Sequence, residues 1–138
     1  MADLLLVEDN EDLREVLAEL LERHGHSVRT ARDGREGLAA IAARTPDLII
    51  LDVEMPVLHG PGMAYQMFLH DAGQEEIPIL LASGVKDLRQ VADVVGTRYW
   101  LPKPFEVDEL LRKLALALRE RQAPKPRTEQ LAGWTEPP

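Results

Sequence analysis

The chain contains no cysteine, which excludes disulfides and thiolate metal sites. No apolar stretch approaches the roughly eighteen residues of a membrane span, and Met1-Ala2-Asp3 lacks the basic start of a signal peptide. Basic residues are in deficit, since 16 Lys and Arg stand against 24 Asp and Glu, giving a formal net charge of −8. Nucleic-acid binding depends on clustered Lys and Arg. We therefore expect a cytoplasmic protein without membrane insertion or direct nucleic-acid contact.

Four short apolar runs are present, and each ends at a residue suited to handling a phosphoryl group. Residues 4–7 run into Glu8 and Asp9, 48–51 into Asp52, 79–82 into Ser83, and 99–101 into Pro102 and Lys103. Short apolar runs between helical patterns predict buried parallel strands, and open parallel sheets bind ligands at the carboxyl ends of their strands. We expect these three acids, one hydroxyl and one lysine to meet in one cleft.

Helical spacing and capping residues predict five helices around five strands, the weakest strand being 27–31. The first predicted helix follows the cap Asn10 and ends at Gly25, and the second opens on a capping box of Asp33 and Glu36 and ends at Thr45-Pro46. The third runs from Gly60-Pro61 to Gly73. The fourth runs from about Lys86 to Val95, and the fifth from about Glu106 to Arg121. In the third helix we expect Met63, Ala64, Met67 and Phe68 to face inward. This alternation predicts one doubly wound α/β domain with right-handed crossovers.

The pattern dissolves after residue 121. Prolines occupy positions 124, 126, 137 and 138, and this composition cannot bury a core. We expect a domain over residues 1–121 and a disordered Pro-rich tail or linker over 122–138, although Leu131 and Trp134 are compatible with a docking motif.

Three predicted neighbours, Glu8, Asp9 and Asp52, would place three negative charges close together. Such a cluster needs protons or a cation, and Mg²⁺ is the usual cation for oxygen ligands. The alternative is that the acids after the first strand only cap the following helix.

Asp52, at the rim of the sheet, is placed to attack phosphorus and form an aspartyl phosphate. Lys103 supplies a compact cation for phosphoryl oxygens, and Ser83 supplies a hydroxyl. Each residue alone has a simpler interpretation, as a loop-start acid, a solvated lysine or a turn serine. Their coincidence at the strand ends favours the functional one.

Together these motifs resemble the receiver domain of two-component response regulators. The resemblance covers residues 1 to about 121, with the motifs Glu8-Asp9, Asp52-Val53-Glu54-Met55-Pro56, Gly60, Ser83-Gly84 and Lys103-Pro104-Phe105 in register. It implies a flavodoxin-like fold with strand order 2-1-3-4-5. It also implies a phosphorylation-dependent signalling protein that is not otherwise an enzyme and that accepts its phosphoryl group from a histidine kinase or phosphotransfer protein.

The resemblance assigns roles residue by residue. Asp52 would be the phosphoacceptor and would ligate Mg²⁺ together with Asp9, while Glu8 acts mostly through water and Glu54 offers its backbone carbonyl. Lys103 would pair with the phosphoryl group, and its peptide bond to the next residue, a proline, would be cis.

The resemblance also implies a switch. On phosphorylation the hydroxyl of Ser83 would move toward the phosphoryl group, and Trp100, which replaces the usual tyrosine or phenylalanine, would turn inward. Contacts with an output protein, or with a second copy in a homodimer, would then form on the face of the fourth helix, fifth strand and fifth helix.

Other features depart from the receiver pattern or lack a role. The stretch from Ser83 to Gly96 is shorter than usual, which predicts a short or remodelled fourth helix. The four histidines, at positions 24, 26, 59 and 70, show no ligand spacing and are interpreted as surface residues.

Three other functions compete with this one. A haloacid-dehalogenase-type phosphatase would have its nucleophile on the first strand with an aspartate two residues later, whereas Asp52 follows the third strand and Glu54 comes two residues on. A flavin-binding module needs a phosphate-cradling loop after the first strand, where residues 8–12 are acidic instead. An interaction module without phosphorylation would not need the complete set of acids, hydroxyl and lysine.

Overall fold

The computed structural model describes residues 1–52 and 62–125, and the backbone alone for 62–66. The strands of this part are β1 (Asp3–Val7), β2 (Ser27–Ala31), β3 (Leu48–Leu51), β4 (Ile79–Ser83) and β5 (Tyr99–Pro102). The helices are α1 (Glu11–Arg23), α2 (Gly34–Ala43), α3 (Gly62–Gln74), α4 (Leu88–Val95) and α5 (Val107–Glu120).

The five strands form one parallel sheet in the order β2-β1-β3-β4-β5. Within it, Val7 pairs with both Ala31 and Leu51, and Ser83 pairs with Pro102. The registers bring the carboxyl ends of all five strands to one edge. The doubly wound fold and its strand order are confirmed.

Side chains of each strand alternate between two cores, because successive residues of a strand point to opposite faces. One core lies under α2, α3 and α4 and contains Leu5, Val7, Ile49, Leu51, Ile79, Leu81, Phe68, Leu69, Ala72, Leu88 and Val95. The other lies under α1 and α5 and contains Leu4, Leu6, Leu48, Ile50, Leu80, Tyr99, Leu17, Leu21, Leu110 and Leu114. The central strands are therefore buried on both faces, which explains their uninterrupted apolar sequence.

Helix starts follow the predicted capping residues with one difference. Asn10 Oδ1 accepts the Leu13 N–H at 3.0 Å, and Asp33 Oδ1 accepts the Glu36 N–H at 2.9 Å. The carboxylate of Glu36 does not return to Asp33 as a capping box requires, because it accepts the backbone N–H of Arg32 at 2.8 Å and pairs with the guanidinium of the same residue. Asp33 is thus a simple cap.

The predicted inward face of α3 is confirmed at Phe68, which is fully buried, and wrong at Met67. Met67 is 59% exposed, and the buried stripe consists of Phe68, Leu69 and Ala72. The side chains of Met63 and Ala64 lie outside the described residues.

Two helix ends also differ from the prediction. The third helix continues through Gly73 to Gln74. The fourth helix begins at Leu88 instead of Lys86, because Asp87 adopts a left-handed conformation (φ 55°) that interrupts the helical backbone. The expectation of a short fourth helix is confirmed.

No helix among the described residues is both long and apolar enough to cross a bilayer. Of the histidines, 24 and 70 are exposed, whereas His26 is half-buried and its Nδ1 accepts the Ala2 N–H at 3.2 Å. His26 is therefore not a simple surface residue as predicted, because its ring bonds to the backbone just before β1. His59 lies outside the described residues.

Candidate functional site

The predicted site residues meet at the carboxyl edge of the sheet. The ladder extends one residue past several strand ends, since the Glu8 N–H bonds to Ala31 O at 3.0 Å and the Asp52 N–H bonds to Val7 O at 3.0 Å. The Lys103 N–H bonds to Ser83 O at 2.9 Å. These bonds fix the backbone from which each functional side chain projects.

The three acids form one cluster. Glu8, Asp9 and Asp52 each offer a carboxylate oxygen, and the three oxygens lie within 4.8 Å of one another. Glu8 and Asp52 are 2% and 4% exposed, whereas Asp9 faces solvent. An all-oxygen set with one solvent-facing member suits a hard cation such as Mg²⁺, which retains waters when it binds.

Lys103 lies between two of these acids. Its Nζ donates to Glu8 Oε1 at 2.8 Å and to Asp52 Oδ2 at 2.8 Å. Burial lowers the pKa of Lys103, but the hydrogen bonds to Asp52 and Glu8 outweigh it, so the pKa lies above its usual value. The ammonium therefore stays charged and offsets part of the acidic cluster.

Glu8 has a raised pKa. Burial is the largest cause, the Lys103 hydrogen bond opposes it, and repulsion from Asp52 adds to it. The second carboxylate oxygen, Oε2, accepts the Asn10 N–H at 3.2 Å. With both oxygens engaged inside the fold, Glu8 is better placed to hold Lys103 and the loop than to give up its carboxylate to a metal.

Arg14 is part of this site although the sequence reasoning missed it. Its Nη1 donates to Glu8 O at 2.9 Å and to Asp9 O at 3.4 Å, from the first turn of α1. It therefore fixes the backbone of both acids. An arginine one turn beyond the cap Asn10 was a usable signal, because that spacing returns its side chain toward the preceding loop.

Ser83 and Trp100 lie on the β4 and β5 side of the cluster. Ser83 is fully buried and its Oγ accepts the Val85 N–H at 3.3 Å. Trp100 is half-buried, packs against the core under α4, and lines an open groove of about 560 Å³ with Arg89, Asp93 and Thr97. Ser83 thus lies on the side of the acidic cluster, bonded through its carbonyl to Lys103, and Trp100 lies in the groove. Their roles in a switch stay predictions.

Two further sequence expectations concern the loops. The Lys103–Pro104 peptide is cis, as the resemblance implies. The proposed carbonyl ligand Glu54, together with Gly60, lies outside the described residues.

Comparison with known families and sequences agrees with this arrangement. Residues 4–115 match the response regulator receiver domain. The response regulator MprA of Mycolicibacterium vanbaalenii is 39% identical over 118 residues, covering 84% of this chain and 50% of MprA. MprA of Mycobacterium tuberculosis H37Rv is 37% identical over 131 residues, covering 94% of this chain and 55% of the relative. The chain thus spans about half the length of these relatives.

Solved structures show the same fold. The chemotaxis protein CheY4 of Vibrio cholerae superimposes with a TM-score of 0.72 at 33% identity, covering 84% of this chain and 98% of CheY4. The response regulator TrrA of Thermotoga maritima, solved in complex with Mg²⁺ and BeF, gives 0.70 at 28% identity, covering 84% of this chain and 98% of TrrA. With its strand order, its acidic cluster and its match across residues 4–115, the chain belongs to the receiver domain family of two-component response regulators.

Proposed function

We propose that Asp52 accepts a phosphoryl group from a histidine kinase or phosphotransfer protein in a Mg²⁺-dependent reaction. The main support is the position of its carboxylate, which directly follows the central strand β3 and accepts a hydrogen bond from Lys103 Nζ at Oδ2, at 2.8 Å. In the reaction an Asp52 oxygen forms the new O–P bond, the P–N bond of the phosphohistidine breaks, and its electron pair stays on the imidazole.

The chain's own residues hold and neutralise the reacting groups. Asp9 and Asp52 would bind Mg²⁺ directly, with Glu8 behind them, and the bound ion would offset charge on the transferring phosphoryl oxygens. Lys103 would move from Asp52 Oδ2 toward a phosphoryl oxygen and retain Glu8 as its partner. The complex of the related protein TrrA with Mg²⁺ and BeF supports a Mg²⁺-dependent reaction in this chain.

The site would act as a switch through Ser83 and Trp100. In the described state the Ser83 Oγ accepts the Val85 N–H, and the hydroxyl proton could then be donated to an oxygen of a phosphoryl group on Asp52. Trp100 would turn inward from the groove beside α4. The resulting change on α4, β5 and α5 is the proposed surface for an output protein or a second copy in a homodimer. We assign this reaction to the cytoplasm.

Labelling with acetyl phosphate and Mg²⁺ tests the acceptor. The wild type should gain the mass of one phosphoryl group, and Asp52→Asn should gain none. Asp47→Asn is the matched control, because Asp47 lies at the opposite end of β3, away from the acidic cluster. Hydroxylamine should remove the label, since it cleaves an acyl phosphate and leaves a phosphoserine intact. Equal labelling of the wild type and Asp52→Asn, or a label stable to hydroxylamine, would refute the assignment.

Binding of Mg²⁺ without phosphate is tested by Trp100 fluorescence in a Trp134→Phe background, together with calorimetry. Three acids in one cluster should bind the ion, since it relieves their mutual repulsion. Absence of both a fluorescence change and a heat of binding would reject the metal site.

A further inference from the structure

The chain does not leave the domain at the end of α5. Arg121 ends the helix in a left-handed conformation (φ 51°) and its N–H bonds to Ala117 O at 2.9 Å, after which the chain turns back. Residues 122–125, called the strap below, then lie against the turn between α4 and β5. Pro124 is buried, and the Lys125 N–H donates to Gly96 O at 3.0 Å.

Gly96 is shaped for this contact. It has φ +82°, and a Cβ built on it would lie 2.6 Å from Lys125 N and closer still to the Lys125 carbonyl. Gly25 has a similar backbone, with φ +90°, but a Cβ there would meet nothing within 4 Å. Gly25 needs glycine only for its turn, whereas Gly96 also needs it because another backbone packs against it.

The strap is joined to the amino end of β5. The Tyr99 hydroxyl donates to Glu120 Oε1 at 2.9 Å, just before the strap begins, and Gly96 lies three residues before Tyr99. The carboxyl end of the same strand leads into Lys103, which holds Asp52. One four-residue strand therefore connects the strap to the acidic cluster, with Trp100 in between.

We propose that the strap is an intramolecular contact coupled to the Asp52 site. It is docked while Lys103 holds Asp52, and it loosens when Mg²⁺ and a phosphoryl group occupy the site. The coupling rests on the proposed function, whereas the docking does not. Because coupling between two sites is reciprocal, undocking the strap should also favour the occupied state of Asp52. Lys125, the last described residue, lies at the turn that contains Gly96 and Thr97.

Amide exchange of the Lys125 N–H, followed by NMR in the full chain, tests the docking. Gly96→Ala should speed this exchange by about tenfold or more, and Gly25→Ala should leave it unchanged although both variants force alanine into a positive φ. Pro124→Asp, which leaves Gly96 intact, should speed it as well. Exchange at the unfolded-chain rate in the wild type, or equal rates in the wild type and Pro124→Asp, would overturn the proposal.

The coupling is tested by adding Mg²⁺ and beryllofluoride, with fluorine NMR to report whether beryllofluoride is bound. A bound signal with Lys125 exchange raised at least about threefold supports the coupling. A bound signal with exchange unchanged or slowed overturns the coupling and leaves the proposed function standing. Absence of a bound signal overturns both the coupling and the proposed function. Beryllofluoride affinity provides the reciprocal test, since it should rise in Pro124→Asp, and an unchanged affinity also counts against coupling.

Discussion

Charged side chains collect at both edges of the sheet, with a different balance of acids and bases. At the amino edge, Asp3 Oδ2 accepts from Arg44 Nε at 2.8 Å, and Asp47 Oδ2 accepts the Asp3 N–H at 2.8 Å while its Oδ1 lies 3.7 Å from Arg121. Arg29 also belongs to this edge, where it donates to Ala40 O at 2.7 Å and closes the end of α2.

At the carboxyl edge, three acids meet one lysine. Glu8 and Asp52 have side chains only 3% and 4% exposed, whereas the Arg44 side chain at the other edge is 63% exposed. The amino edge is a partly exposed network in which arginines pair with acids and close the ends of α2 and β1. The carboxyl edge has an excess of negative charge in a poorly solvated place, which is the condition that favours binding of a cation.

The largest expected difference between the edges is in stability. Lys103→Met should lower the free energy of unfolding by about 3 kcal/mol, because it leaves two buried carboxylates without their cation. Arg44→Met should cost about 1 kcal/mol or less, since the Arg44 side chain is 63% exposed and Asp3 keeps Arg29 as a second partner. Urea denaturation without divalent cations measures both changes.

Magnesium provides the control for this pair of variants. It should recover part of the stability lost in Lys103→Met, because a bound cation takes over from the ammonium, and it should not rescue Arg44→Met. Equal losses of unfolding free energy in Lys103→Met and Arg44→Met would show that the carboxyl edge depends on its cation no more than the amino edge does.

A second, smaller difference concerns the loop of the acidic cluster. Arg14→Ala should weaken Mg²⁺ binding about tenfold, or about 1.4 kcal/mol, because the backbone of Glu8 and Asp9 loses its hydrogen bonds to the guanidinium. Arg23→Ala, on the same helix but paired with Glu19 at the surface, should bind Mg²⁺ as the wild type does. Calorimetric titration with Mg²⁺ measures both affinities. Equal Mg²⁺ affinity in Arg14→Ala and the wild type would show that Arg14 does not support the metal site.

The smallest expected effect is a pH slope at the carboxyl edge. Because the pKa of Glu8 is raised, mainly by burial, the folded state holds this proton more tightly than the unfolded state. Its stabilising contribution is complete below the ordinary value of 4.5 and is lost as pH rises through the raised pKa.

Glu8→Gln should therefore flatten the pH dependence of the free energy of unfolding above about pH 4.5, by at most about 1.4 kcal/mol per pH unit, and Glu8→Asp should retain a slope of the same sign; urea denaturation at several pH values measures both. If the slope of unfolding free energy against pH were as steep in Glu8→Gln as in the wild type, another titrating group would be responsible for it.

The sequence was sufficient for the elements whose signals are local. Short apolar runs and caps such as Asn10 and Asp33 predicted the strands and most helix starts, and the parallel sheet then required Glu8, Asp52 and Lys103 to meet. Glu8 and Lys103 are 95 residues apart in the chain, so their contact could be inferred only through that topology.

Features that depend on packing between distant elements were missed. On α3, Phe68 was placed correctly and Met67 wrongly, because Met67 and Leu69 are both apolar and only packing against the neighbouring helix and sheet decides between them. Burial of Pro124 against the turn at Gly96 was missed for the same reason, since a Pro-rich composition by itself indicates no partner.

The strand order places different functional residues on the two sides of the central strand β3. The clustered acids follow β1 and β3, and β3 is held by neighbours on both sides and by cores on both faces. Ser83 and Lys103 come from β4 and β5, which lie together on one side. The residues proposed to follow a phosphoryl group on Asp52 therefore lie on one side of it, and the other two acids of the cluster lie on the opposite side. The proposed switch would therefore be transmitted toward the β4 and β5 side of the sheet, which is also the side that carries Trp100.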